Sequence, residues 1–330
     1  MRVLVTGGTG FIGTRLVLRC LERGDEVRVL AQANNPAEQG NQKLLEQAGA
    51  HFFLGSVLDP EPVRQAVKDV ELVIHLAAAQ HEANVADRHF YEVNVEGTRT
   101  LLDAAQQAGV KRFIHGSTIG VYGEIKVGVA NEASPLNPVN IYGKTKLEGE
   151  QLALQYAEQM AVTVIRIPET YGPGDRRLLK LFKAIDKGVF FNIGNGNNKH
   201  HLMYVEDLID GFLQAAEHSA AAGEVFLLAG RDVLSTNEMI ASIALALGRP
   251  VPRIRVPLWP LMLVAVVLET TMKPLGKQPP LHRRRMDFFV KSFVLSGEKA
   301  ARLLDYRPRT PFAEGAVATA AWYRGQGLLQ

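Results

Sequence analysis

The chain has a single cysteine in 330 residues, Cys20, so no disulfide can form within it, and nothing else points to an oxidising compartment. It also lacks a charge excess. With 37 lysines and arginines against 34 acids, the balance is too even for a phosphate-backbone footprint, and nucleic acid is set aside as a partner. No apolar run is long enough for a bilayer-spanning helix; the longest, Val256 to Leu268, contains Pro257 and Pro260. Internal repeats and low-complexity tracts are missing as well. The start leaves no room for a targeting segment, since Met1 to Val5 already reads as a buried strand, and a cytoplasmic location is the expectation. What is present is a 47% hydrophobic content, enough for one large core or two fused lobes. Cys20 reads as a small core residue on the first helix.

The first half alternates short apolar runs with helical stretches: RVLVT (2–6), EVRVL (26–30), AHFFL (50–54), ELVIH (71–75), RFIHGS (112–117) and VTVIRI (162–167). Continuous apolar strands separated by helices predict a parallel sheet covered on both faces, a doubly wound, Rossmann-like α/β domain. EVFLLA (224–229) has the same character, so the sheet is expected to receive a later strand. From Pro168 onward the texture changes to glycine-, proline- and asparagine-rich loops, of the kind that shape substrate sites. The expected division is a dinucleotide-binding domain over 1–167, with a return near 204–229, and a smaller interleaved C-terminal substrate lobe over 168–203 and 230–330. Ser235 with Glu238 predicts a capping-box start for a helix ending near Gly248, and Tyr306 to Trp322 a closing loop and helix.

Thr6 to Gly13, TGGTGFIG, follows the first strand and opens a helix. Gly7 permits the tight turn, Gly10 lets the backbone approach a pyrophosphate, and Gly13 lets helix and strand pack closely. Phe11, Ile12 and Gly13 bring first-turn amides to the same place.

The spacing TGxxGxxG resembles that of the extended short-chain dehydrogenase/reductases, the NAD-dependent epimerase/dehydratase family. The resemblance runs along nearly the whole chain, through HLAA (75–78), NVEGT (94–98), VYG (121–123), YGKTK (142–146), YGPGD (171–175) and YVEDL (204–208). It implies that His75, Leu76, Ala77 and Ala78 line the cofactor cleft, that Asn94 sits on the helix behind the active site, and that Pro168 abuts the nicotinamide. It also implies a homodimer through the helices around 84–108 and 140–160.

The cofactor is read as NAD or NADP, with NAD preferred. Ala31 and Gln32 supply neither the acid that would bond the ribose of NAD nor an arginine for the extra phosphate of NADP. Arg28 is the other cation weighed for that phosphate. The family's GDxxD reads GSVLD here, leaving Ser56 and the Val57 backbone to meet the adenine.

Tyr142 and Lys146 stand four apart in a helix-forming stretch, so both project from one face. Free tyrosine titrates near pH 10, and acting as a base at neutral pH requires a fall of roughly 3 units, about 4 kcal/mol of preference for phenolate. An ammonium at about 4 Å supplies a similar energy at an effective dielectric of about 20, and the cofactor's own cation adds to it. These residues predict an enzyme in which Tyr142 moves the proton of a carbinol and Lys146 tunes it, both also touching the cofactor. By the resemblance, Thr118 holds the reacting oxygen, with Ser117 able to share the task. Metal binding is not expected, because His200 and His201 are adjacent and diverge.

Three functions remain open at this level: an alcohol/ketone oxidoreductase, which leads, a nucleotide-sugar epimerase, and a non-catalytic NAD(P)-binding regulator. Ser117, Glu169, Arg176, His201 and Arg284 are the candidate residues for the small-molecule substrate. Glu169 replaces an asparagine that contacts the substrate diphosphate in many sugar enzymes of the family, and the Asp-Glu pair of the 4,6-dehydratases is Ile119 and Gly120 here. The run 256–268 reads first as a buried helix of the smaller lobe, with a lid or a seat on a membrane surface as alternatives.

Overall fold

The computed structural model describes residues 1–80, 85–125, 128–272, 288–289 and 291–329. Among them, seven parallel strands form one sheet: β1 (Arg2–Thr6), β2 (Glu26–Ala31), β3 (His51–Leu54), β4 (Leu72–His75), β5 (Arg112–Thr118), β6 (Ala161–Ile167) and β7 (Val225–Leu227). Their order is β7-β6-β5-β4-β1-β2-β3, with Thr6 beside His75 and His75 beside His115 in register. The chain winds outward from β1 to β3 and then restarts on the other side of β1. The carboxyl ends of β1 and β4 therefore flank the point where the winding reverses, which is where open α/β sheets receive ligands.

The strands are mainly apolar because helices cover both faces. One face packs Leu4, Leu30, Val73, Phe113 and Val162 of the sheet against α3 (Pro60–Val67), α5 (Gly97–Gln107) and α6 (Ile141–Leu154), through side chains such as Val63, Leu101 and Leu152. On the other face α1 (Phe11–Glu22) is tied to α8 (Val205–Glu217): Arg15 and Arg19 bond Glu206 at 2.7 and 2.8 Å, and Arg19 bonds Asp210 at 2.6 Å. The YVEDL motif thus serves, through Glu206, as a clasp between two helices.

The chain forms two compact units. The first comprises Met1–Thr170, Val205–Gly230 and Leu295–Arg309; the second, Tyr171–Tyr204, Arg231–Val294 and Thr310–Gln330. The expectation that everything from 230 onward belongs to one lobe is therefore corrected. Leu295–Arg309, which contains α11 (Glu298–Leu304), belongs with the sheet because Lys299 Nζ bonds the Val225 carbonyl at 2.8 Å and Glu224 at 2.7 Å. Tyr306 Oη donates to the Asp207 carbonyl at 2.7 Å.

In the second unit, α7 (Leu179–Asp186), α9 (Thr236–Leu247) and α12 (Phe312–Gly325) enclose a core of Phe182, Met239, Ile243, Ala316 and Tyr323. The capping box at Ser235 and Glu238 forms, and Gly248 ends α9 in the left-handed conformation. The same unit carries α10 (Leu258–Met272), which departs from expectation: Trp259 is 68% and Leu263 58% exposed, so this is not a buried helix. No described helix is long and apolar enough to cross a membrane.

Candidate active site

At the carboxyl end of β1 the chain enters the glycine turn with Gly7 at φ +68°, a left-handed conformation that glycine adopts without strain. A side chain at Gly13 would stand 2.2 Å from the Gly7 carbonyl, so glycine is what allows α1 to start against the turn. Gly10 is different: a Cβ there would meet only the Gly7 carbonyl, at 3.3 Å, and its outer side is open. Gly10 caps α1 with no side-chain hydrogen bond, leaving the first-turn amides at Phe11, Ile12 and Gly13 as uncapped donors at the positive end of the helix. Asn41 Nδ2 braces the turn from α2 (Pro36–Gln47) by donating to the Thr9 carbonyl at 2.8 Å. Open glycine face, uncapped amides and braced loop together fit a dinucleotide's pyrophosphate.

The segment that follows β4 connects this turn to the rest of the site. Its Ala77 amide donates to Thr6 Oγ1 at 3.2 Å, and its Ala79 amide to Asn94 Oδ1 at 2.8 Å. At its end, Gln80 Nε2 donates to Tyr142 Oη at 3.3 Å. Leu76, Ala77 and Ala78 remain half-buried along it. Asn94 lies in a π-helical turn (Glu92–Glu96) between α4 (Asp87–Tyr91) and α5. There it returns a bond to the Ala79 carbonyl at 3.2 Å and donates to Thr145 Oγ1 on α6 at 3.0 Å. Asn94 is fully buried, so it positions the segment and α6. Gln80 escaped the sequence reading. Its only signal was its place five residues beyond His75, which says nothing about a contact 62 residues away.

His75 does not line a cleft as expected. Its ring is buried, 2.7 Å from Thr6 Oγ1 and 3.0 Å from Thr98 Oγ1, and burial with the nearby Lys146 charge pushes its pKa down to about 3. Burial, with the charges of Lys146 and His75, also holds His115 well below the usual histidine range.

Tyr142 occupies the first turn of α6, after Asn140 caps the helix by accepting from the Gly143 amide at 2.8 Å. The phenol is half-buried, whereas Lys146, one turn on, is 2% exposed. Burial pushes the Lys146 ammonium down to about 8, against the opposing charge of Glu150. Thr118 ends β5 half-exposed, its Oγ1 accepting from the Gly120 amide at 3.1 Å. Ser117 points the other way, which corrects its candidacy as a substrate residue: the hydroxyl is buried and donates to Glu150 at 2.7 Å. Glu150 is bonded in turn by Arg166 at 2.6 Å, and Arg166 also donates to Tyr122 Oη at 2.7 Å.

The adenine-side residues are Val57, which is buried, and Ser56, whose Oγ accepts from the Leu58 amide at 3.2 Å. Arg28 is committed elsewhere: its guanidinium donates to the Lys68 carbonyl at 2.6 Å, so it is not a free phosphate partner. Pro168 is buried and Glu169 exposed in the first unit; in the second, Arg176 is exposed and His201 buried. Neighbouring His200 stands 2.9 Å from Thr236 Oγ1, with its pKa pushed down to about 4 by burial. Arg284 lies outside the described residues. The second unit also holds an apolar cavity of about 330 Å³, lined by Leu178, Leu181, Ala184, Phe190, Phe288 and Phe289, with Arg177 and Lys180 as its cations.

A family model described as the NAD dependent epimerase/dehydratase family matches residues 3–229. A dTDP-glucose 4,6-dehydratase of an Actinoplanes species is 31% identical over 98% of this chain and 98% of its own. A 3-beta-hydroxysteroid dehydrogenase of Mycolicibacterium neoaurum is 35% identical over 77% of this chain and 72% of its own. The crystal structure of a dTDP-glucose 4,6-dehydratase from Streptomyces venezuelae, with NAD bound, matches at a TM-score of 0.79 and 30% identity, covering 100% of this chain and 99% of that one.

Proposed function

The chain belongs to the NAD-dependent epimerase/dehydratase family, and from that premise we propose that it is an oxidoreductase acting at a secondary alcohol or ketone carbon, with Tyr142 as general acid and base. The observation that carries this reading is the setting of Tyr142 Oη, half-buried on α6, held by Gln80, with the buried Lys146 one turn away. NAD, when bound, supplies the hydride acceptor and donor. The glycine turn and the amides at Phe11 to Gly13 hold its pyrophosphate, Ser56 and Val57 meet the adenine, and Leu76 to Ala78 with Pro168 face the rest. Ala31 at the end of β2 and Gln32 to Asn34 after it carry no cation for an additional phosphate, which favours NAD over NADP.

Tyr142 takes the carbinol proton in oxidation and returns it in reduction. Lys146, still ammonium at neutral pH, and the Gln80 amide both stabilise the phenolate. Thr118 Oγ1, at the end of β5, orients the reacting oxygen. Water elimination of the 4,6-dehydratase kind is not part of the proposal, because Ile119 and Gly120 supply no acid beside Thr118. The leading substrate is an apolar alcohol or ketone, a reading supported by the apolar cavity of the second unit and by the exposed carboxylate of Glu169 in place of the asparagine that meets a diphosphate in many sugar enzymes of the family. A nucleotide-sugar epimerase is the second reading, supported by the same Tyr142 and Lys146. The protein is read as a cytoplasmic homodimer through α5 and α6.

Tyr142→Phe is expected to lower kcat by about 10²–10⁴-fold, the usual size of an acid/base contribution, while NAD still binds. Near-wild-type turnover in that variant would remove Tyr142 from the mechanism. Thermal shifts with NAD present, comparing apolar alcohols and ketones with UDP-, GDP- and dTDP-sugars, separate the two substrate readings. Stabilisation by one nucleotide sugar alone favours the epimerase.

A further inference from the structure

We propose that α10 is a membrane-surface anchor that enters one leaflet of an anionic bilayer, an inference that does not rest on the chemistry assigned above. Three observations converge on it. The first is exposure without polarity. Trp259, Leu263 and Val266 are 68%, 58% and 39% exposed at a spacing that makes one stripe, and with Leu258 and Met262 they line an apolar cup of about 640 Å³. Ile254, just before the helix, is also 68% exposed. Apolar surface of this extent on one element marks an interaction site, not ordinary scatter.

The second is length. Leu258 to Leu268 contains no charged residue, and at 1.5 Å per residue it reaches about 16 Å, roughly half of a hydrocarbon core of about 30 Å. It fits a single leaflet and cannot span two.

The third is charge. Residues 239–286 hold eight lysines and arginines against one acid, Glu269, although the whole chain is nearly balanced at 37 against 34. Within the described part of that stretch, Arg253, on the approach to the helix, is exposed and forms no ion pair with another described residue. Cations flanking an apolar segment, with tryptophan at its end, complement anionic headgroups above hydrocarbon. A soluble protein partner would be expected to meet polar as well as apolar groups along the helix, and Leu258 to Leu268 offers it none.

The sequence contains two tryptophans, so Trp322→Phe leaves Trp259 as the sole reporter. With that variant of the full chain, vesicles of phosphatidylcholine with 30% phosphatidylglycerol should shift Trp259 emission to the blue and co-sediment the protein. Binding should weaken with added salt and on pure phosphatidylcholine. Leu263→Glu in the same background should lower vesicle affinity by about tenfold or more, as expected for replacing a buried leucine by a charge. Absence of both the shift and co-sedimentation overturns the proposal, as does unchanged binding of the Leu263→Glu variant. So does sedimentation velocity showing that Leu263→Glu turns an oligomer into a monomer, since a second copy would then cover the helix.

Discussion

Helices α6 and α10 are of similar length, and each inverts the usual rule of burial in the opposite sense. The first places Lys146, Glu150 and Thr145 in the interior; the second places Trp259, Leu263 and Val266 in solvent. A buried charge is tolerated only when paired and bonded, and an exposed apolar stripe persists only when something else gains from it. On α6 the compensation is visible within the same unit, in the Ser117, Arg166 and Tyr122 network around Glu150. On α10 no compensation lies within the described residues, which is why the two helices lead to different kinds of conclusion: one to a site, the other to a surface.

The comparison breaks most severely at Glu150. Glu150→Ala leaves the Arg166 guanidinium buried without its carboxylate and is expected to cost about 3–5 kcal/mol in urea unfolding. Glu150→Met with Arg166→Met should recover much of that loss, because the penalty is an uncompensated charge and not a missing contact. A single-variant loss below about 1 kcal/mol would show that solvent reaches the pair.

Lys146 sharpens the same point with the opposite sign. Its folded pKa, about 8, lies below the ordinary 10.5, so burying the ammonium destabilises the fold at neutral pH. Lys146→Met should therefore raise stability by up to about 3 kcal/mol at pH 7. The cost is fully present below about 8 and fades as pH rises through the interval to 10.5, so the two proteins should converge by the alkaline end of that window. Parallel stability curves from pH 7 to 10.5 would mean that Lys146 is solvated. The same variant should lose turnover, since stability and catalysis pull apart where a charge is buried for use.

The sheet was legible because every strand except the part-exposed edge strand β3 is mostly buried, and two-sided burial writes apolar runs into sequence. The glycine turn was legible for a different reason: the left-handed bend at Gly7 and the close approach of Gly13 to the Gly7 carbonyl lie within eight residues. What could not be read has partners far along the chain. Ser117 looked free to face a substrate because Glu150, which holds it, is 33 residues away, and His75 looked like a cleft residue because nothing local announces Thr98. Leu295–Arg309 joined the first unit through contacts to Val225, Glu224 and Asp207 that no periodicity encodes. For α10 the limit is different in kind. A helix apolar all round looks the same in sequence whether a core or a membrane receives it.

That last ambiguity yields the smallest effect and a discriminating one. If Leu263 is exposed in the free protein, its side chain makes few contacts that unfolding would lose, and Leu263→Ala should change stability by no more than about 0.5 kcal/mol. Ile243 of α9, in the same unit but fully buried, is the reference: Ile243→Ala removes core volume and should cost about 2–5 kcal/mol. Measured side by side in urea, the pair separates the two origins of an apolar helix. Equal losses would place α10 inside a core and remove the basis for a bilayer seat. A near-zero loss at Leu263, together with a large one at Ile243, leaves an apolar surface that contributes nothing to folding and whose retention must be explained by what it touches.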